Sequence, residues 1–120
     1  MKLVEIAEPK WETEITAIVK AVAADHGFPD MTVESRKHGD WFEIIIGSQS
    51  MTVKVDADGT LHLANVYVPE ELRGKGFLTD VLKKIRKLNG LNGNCRVHVA
   101  MNPAWEKIIE RSGFARVKPE

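Results

Sequence analysis

The chain has 120 residues with no net charge, and 43% of them are hydrophobic, which suits a single domain over residues 1–120 with its own core. Zero net charge provides no overall field to attract nucleic acid or a membrane surface. No apolar run is long enough to span a bilayer.

Two further features restrict the class of protein. A single cysteine, Cys95, excludes an internal disulfide and a cysteine-based metal cluster, and its alternation with valines favours a packed apolar side chain over a nucleophile. The first residues show no secretory pattern, so we expect a cytoplasmic protein.

The first third of the chain changes from helical to strand periodicity. A first helix is predicted by the apolar residues Trp11, Ile15, Ile18, Val19 and Val22, and Gly27 and Pro29 would end it. From residue 32 to 68 the period falls to two, with turn-like breaks at residues 38–40, 47–50 and 56–59. These breaks predict four antiparallel strands joined by tight turns.

The second half of the chain alternates helices and strands. An apolar stripe from Phe77 to Leu88 predicts a second helix, residues 95–101 predict a fifth strand, and residues 104–111 predict a third helix. Residues 114–120 leave room for one more strand. Because strand–helix–strand crossovers normally join parallel strands, we expect the fourth and fifth strands to be parallel neighbours. Ligands of open α/β sheets bind beyond the carboxyl ends of such strands.

A Gly-rich cationic turn lies between the fourth strand and the second helix. Gly74 and Gly76 allow the backbone to approach a ligand, and the first N–H groups of the following helix lack intrahelical partners. Arg73 and Lys75 add positive charge. The spacing fits neither the P-loop nor the dinucleotide fingerprint. The turn is therefore a candidate phosphate-binding site of a kind other than these two nucleotide motifs.

Two stretches resemble the GNAT family of N-acetyltransferases. Residues 73–78 resemble motif A, whose Gln/Arg-x-x-Gly-x-Gly/Ala signature wraps the pyrophosphate of acetyl-coenzyme A, with Leu78 replacing Gly or Ala at the sixth position. Residues 102–114 resemble motif B, from its leading Asn to its closing Gly-Phe. The resemblance implies a GNAT-like α+β fold with antiparallel strands 1–4, parallel and splayed strands 4 and 5, and about three helices.

The resemblance also implies an acyl-CoA-dependent N-acyltransferase, in which an amine attacks acetyl-CoA directly. The pantetheine arm of this co-substrate would pair with the backbone of Val66, Tyr67 and Val68, and Asn102 would lie at the mouth of its gap. The pyrophosphate would be held by Arg73, Gly74, Lys75, Gly76, Phe77 and Leu78. The acceptor amine stays open, and a second copy of this short chain is a possible contributor to the acceptor pocket.

The chemistry requires groups that move protons, because the attacking amine loses one and the departing thiolate gains one. The family's general acid, often a tyrosine in motif B, falls at Ile109, which has no proton to donate. Tyr67 is the candidate acid, or else a core aromatic. His62 and His98 are candidate bases because they can face each other across the parallel strands, although structural histidines are the commoner case. No cluster has metal-ligand spacing.

Two alternatives remain at this point. A non-catalytic protein of the same fold, binding a macromolecular partner with or without coenzyme A, is favoured by Ile109 and Leu78. A nucleic-acid contact would use the basic end of the second helix, but solvated cations at a helix C-terminus are the simpler interpretation of Lys83, Lys84, Arg86 and Lys87.

Overall fold

The computed structural model describes residues 11–98 and 103–117. Within these residues, three α-helices and six β-strands follow one another along the chain, with a short 3₁₀ turn at Glu70–Leu72. Their bounds are α1 Trp11–Asp25, β1 Val33–His38, β2 Trp41–Ile46, β3 Gln49–Val55, β4 Leu61–Ala64, α2 Phe77–Arg86, β5 Asn94–Val97, α3 Pro103–Arg111 and β6 Ala115–Arg116.

The strands form one mixed sheet whose order follows the chain from β1 to β6. Strands β1 to β4 pair antiparallel, whereas β5 pairs parallel with both β4 and β6. The predicted α+β class, with four antiparallel strands followed by a parallel fifth, is therefore confirmed. No described helix is both long and apolar enough to cross a membrane.

All three helices pack on one face of the sheet, and no other helix among residues 11–98 and 103–117 covers the opposite face. Along β2, Phe42, Ile44 and Ile46 are buried, whereas the residues between them are only half-buried. A single core unites these strand residues with buried side chains of every helix, among them Ile15, Val19, Val22, Phe77, Val81, Leu82, Ile85 and Ile109. We call the opposite side, which carries Trp41, Glu43, Lys54, His62 and Arg96, the open face.

The fourth strand is shorter than its sequence predicts. The alternating pattern runs to Val68, but β4 ends at Ala64. Asn65 has a φ of +49°, in the left-handed region that a strand cannot continue through. Residues 66–68 follow as irregular chain.

Other element ends differ by a few residues. The turn between β2 and β3 uses only Gly47 and Ser48, because Ile46 already pairs with Gln49. Helix α2 ends at Arg86, two residues before the predicted Leu88, which still packs against the core. The predicted fifth strand reached residue 101, but β5 ends at Val97 and residues 99–102 lie outside the described part of the chain.

The two faces of β2 give a matched test of this arrangement. Ile44→Ala should lower the free energy of unfolding by about 2–5 kcal/mol, because it leaves a cavity in the core. Ile45→Ala, one residue along on the open face, should cost about 1 kcal/mol or less. Urea unfolding of both variants measures the difference. Equal losses would contradict the assignment of the covered face.

Candidate functional site

A cleft of about 520 Å³ opens beyond the end of β4, beside the N-terminus of α2 and one side of α3. It brings together most of the residues that motif A and the fourth strand predict as a binding site, namely Val66, Tyr67, Val68, Arg73, Gly74, Gly76, Phe77 and Leu78. Its remaining wall comes from Leu72, Thr79, Ala104, Trp105, Ile108 and Arg111. A volume of this size is typical of small-molecule sites.

One wall of the cleft is the irregular segment that follows β4. Among the described residues, the N–H of His98 donates to the carbonyl of Leu63 at 2.8 Å, next to the end of β4. After Asn65 the chain stays attached to the other neighbour, since the N–H of Tyr67 donates to the carbonyl of Ser50 in β3 at 2.9 Å. This segment is therefore anchored to β3 where it lines the cleft.

The Gly-rich turn presents unpaired backbone donors to this cleft. Gly74 and Gly76 have φ values of +73° and +76°, and a Cβ on either would meet no protein atom within 4 Å. Gly76 is the N-cap of α2, and it has no side chain to cap the helix. The first N–H groups of α2 thus face open space, where an anion can accept from them.

Of the two predicted cations of the turn, Arg73 lies in the cleft and Lys75 lies outside it. Arg73 lines the cleft, and its Nε donates to the carbonyl of Val68 at 2.8 Å, which closes the loop between them. Lys75 does not line the cleft, because its Nζ lies 5.5 Å from the ring centroid of Phe28. Arg111 of α3 does line it and was not predicted. Asn102 lies outside the described residues.

The third helix turns a different face to the cleft than the residue count in motif B indicates. Ile109, at the position of the family's tyrosine, is 1% exposed and belongs to the core. Ala104, Ile108 and Arg111 line the cleft instead, and their spacing of four and three residues places them on one side of a helix. That spacing is the sequence signal for Arg111.

Tyr67 is placed where a cleft residue can meet a ligand. Its side chain is 57% exposed, so the interpretation as a core aromatic is wrong. Its backbone is fixed to β3 by the bond to Ser50, while its side chain lines the cleft.

His62 and His98 do come together, but on the open face and not in the cleft. His62 Nδ1 lies 2.8 Å from His98 Nε2, and the two rings stack with centroids 5.0 Å apart. The indole of Trp41 meets both rings edge-on. His62 is 6% exposed, whereas His98 is exposed.

Asp56 extends the pair into a chain of three side chains. Its Oδ2 lies 2.5 Å from His62 Nε2, so both ring nitrogens of the buried histidine have partners. The residue was interpreted from the sequence only as part of a turn. The sequence feature that could have identified Asp56 is the β3–β4 hairpin. In this hairpin Lys54 pairs with His62, and Asp56 follows two residues later on the same face.

The pKa values within this cluster move in directions that its contacts explain. Burial acts to raise the pKa of Asp56, but the hydrogen bond and charge of His62, with Lys54 nearby, leave it below its ordinary value. The pKa of His98 is lowered by partial burial and by electrostatic interactions with His62, Arg96 and Lys54, which outweigh the opposing effect of Asp56.

Cys95 carries no chemistry in this fold. It is fully buried in β5, and burial raises the pKa of its thiol to about 12. The described residues also contain no group of three or more His, Cys, Asp or Glu side chains able to hold a metal ion.

Comparisons of the chain with protein-family models, with curated proteins and with solved structures give no significant match. The likeness to the GNAT family therefore rests on the residues of the two sequence motifs.

The buried thiol gives a pH test of the packing of β5. Between pH 9 and 12 the unfolded chain loses the Cys95 proton while the folded protein keeps it, so stability falls as pH rises. The slope attributable to Cys95 is at most about 1.4 kcal/mol per pH unit. Urea unfolding of wild type and Cys95→Ala across this range should show the wild type losing more. Parallel pH profiles would contradict the burial of this thiol.

Proposed function

We propose that the chain is an acyl-CoA-dependent N-acyltransferase of the GNAT type, transferring an acetyl group from acetyl-CoA to an amine. The observation that carries the proposal is the convergence of an uncapped helix N-terminus with the irregular segment that follows β4. One cleft thereby brings together donors for a diphosphate and backbone groups that can bond a pantetheine arm.

The anion end of this proposal is supported by charge as well as geometry. Arg73 and Arg111 enter the cleft from its two sides, and the first N–H groups of α2 lie between the turn and the cleft. Helix N-termini favour anions, and guanidinium groups bind phosphate oxygens through paired hydrogen bonds. The two open glycines allow a ligand to approach that backbone closely.

The arm end is supported by the hydrogen bonds of residues 66–68. Tyr67 uses its N–H on β3, and the Val68 carbonyl accepts from Arg73. Within the described residues, the N–H of Val68 and the carbonyl of Val66 have no partner. Because unpaired backbone groups in a cleft are ready to bond a ligand, these two suit the amides of a pantetheine arm.

The position of Ile109 weakens the case for the non-catalytic alternative. An isoleucine at the position where the resembled family often has a tyrosine argues against catalysis only if that position faces the substrate. Ile109 lies in the core, so its side chain contributes to packing and does not face the cleft. The exposed Tyr67 remains in the cleft as the candidate proton donor to the thiolate.

A charge placed in the turn tests the proposed function. Gly76→Asp should reduce the affinity for acetyl-CoA on the order of 100-fold, because a carboxylate would repel the diphosphate. Gly39→Asp is the matched control, since Gly39 also has a positive φ with no atom near its Cβ but lies in the β1–β2 turn. Calorimetric titration measures binding, and thiol release measures transfer. Unchanged binding and turnover in Gly76→Asp would refute the proposal.

The two cations that the structure separates give a second test. Arg111→Gln should weaken acetyl-CoA binding at least about tenfold, the scale of one charge-assisted hydrogen bond. Lys75→Gln removes a cation that lies over Phe28 and outside the cleft, so its effect should be smaller. Titration of both variants decides the order. A larger loss in Lys75→Gln would restore the role that the sequence predicted for that lysine.

A further inference from the structure

The cleft does not contain the histidines, and this separation raises the question of how the attacking amine loses its proton. His98 follows the last residue of β5, and its N–H bonds to Leu63 just before β4 ends. The cleft begins three residues beyond Leu63, at Val66. The histidine chain therefore lies on the open face beside the strand ends that form the cleft.

A second hollow, of about 360 Å³, lies on the open face at the same place. Its wall includes Trp41, Glu43, Ala64 and Asn65, and Trp41 in turn meets the ring of His98 at 5.4 Å between centroids. Ala64 and Asn65 directly precede the segment that lines the cleft. One stretch of chain thus has a hollow on each side.

With both rings neutral, the hydrogen bonds of the three side chains allow one arrangement of protons. An ionised carboxylate can only accept, so His62 donates its Nε2–H to Asp56 and leaves Nδ1 as an acceptor. His98 then donates its Nε2–H to that nitrogen, and its own Nδ1 carries a lone pair. No described residue bonds to His98 Nδ1.

We propose that His98 Nδ1 accepts the proton of the acceptor amine, with His62 and Asp56 acting as positioning residues that set its tautomer. The inference rests on the proposed acyltransfer function. It adds that the amine gives up this proton on the open face, beside the strand end that leads into the cleft.

The proposed transfer removes two protons from the amine. The ammonium gives one proton to His98 Nδ1, and the freed nitrogen lone pair forms a bond to the thioester carbon. The carbon–sulfur bond breaks with its electron pair on sulfur, Tyr67 gives its hydroxyl proton to the thiolate, and the second proton from the nitrogen restores the tyrosine. His98 can pass its Nε2 proton to His62 Nδ1, which places the positive charge beside the Asp56 carboxylate.

The surroundings of His98 determine the direction of its pH response. It faces His62 from β4, Lys54 from β3 and Arg96 on its own strand, with Asp56 beyond His62 and the uncharged Trp41 from β2. Partial burial and then these charges lower the pKa of His98, which favours the neutral ring that can accept a proton. The acid side of the kcat profile should fall below the ordinary histidine range.

The first experiment follows the proton on the full-length chain. Long-range proton–nitrogen NMR correlation near neutral pH should show Nδ1 unprotonated in both histidines, and the pH titration gives the midpoint of the pair. Asp56→Asn should lower that midpoint, because the protonated pair loses its carboxylate. Asp56→Glu should restore it in part. Asp58→Asn, in the same turn but bonded to Thr60 and not to His62, is the control. A protonated His98 Nδ1 in wild type would overturn the proposal.

The second experiment asks whether catalysis uses that proton. Acetyl transfer to propylamine, followed by thiol release over pH, should show an acid limb of kcat that moves with the NMR midpoint in Asp56→Asn. If the histidine pair had only a structural role, Asp56→Asn would shift the NMR midpoint but leave the acid limb of kcat at its wild-type pH. That result would overturn the proposal. His98→Gln should lower kcat by about 10²–10⁴-fold. Its acetyl-CoA affinity should stay unchanged.

The outcomes separate this inference from the proposed function. Asp58→Asn serves again as the matched control, because Asp58 lies in the same turn as Asp56 but bonds to Thr60 and not to the histidine pair. Wild-type kcat in His98→Gln, or no transfer to propylamine by protein that binds acetyl-CoA, would overturn the role of His98 alone. Failure of the wild type to bind acetyl-CoA would overturn the proposed function and this inference together.

Discussion

The candidate site depends on one interruption of the sheet. Asn65 takes a left-handed backbone conformation directly after β4, and asparagine is one of the few side chains that adopt it at low cost. Strand β4 ends there, while the Tyr67 bond to Ser50 keeps the following residues on β3. If Asn65 were extended, residues 66–68 could continue the strand instead of forming a wall of the cleft. The glycine turn and α2 would then lose the opposite wall of the site.

The second determinant is the alternation of side chains along β4 and β5. Leu61 and Leu63 enter the core, so His62 between them must lie on the open face. A buried histidine with an unpaired nitrogen would be costly, yet here both nitrogens are bonded. The low exposure of His62 is therefore compatible with folding because Asp56 and His98 are both within hydrogen-bonding distance.

Much of the fold follows from the sequence, because long periodic segments and tight turns are local signals. The first helix, the antiparallel strands and the parallel β4–β5 pair all arise from period and connection length. The end of β4 does not, because Val66 and Val68 continue the alternation past the point where Asn65 turns the backbone. Lys75 shows a related limit, since spacing places a cation in the turn but cannot say that it lies over Phe28.

The site residues that the sequence missed depend on register between elements. Asp56 belongs to a turn-forming stretch whose composition gives no sign of a catalytic contact, and only the β3–β4 register brings it to His62. Arg111 is similar, because counting from the motif anchors selects Ile109, whereas the tilt of α3 against the core decides which residue faces the cleft. Motifs therefore located the cleft, while packing decided which charges surround it.

The sheet separates the histidine chain on the open face from the arginines of the cleft. This separation also has an electrostatic consequence. A histidine beside a bound diphosphate would have its pKa raised by the anion and would hold its proton at neutral pH. His98 lies instead on the open face, near Lys54 and Arg96, where its pKa is lowered. Arg73 and Arg111, which suit an anion, lie in the cleft. Under the proposed function, the sheet thus allows one site to bind a polyanion and the other to accept a proton, two tasks whose electrostatic requirements conflict within a single pocket.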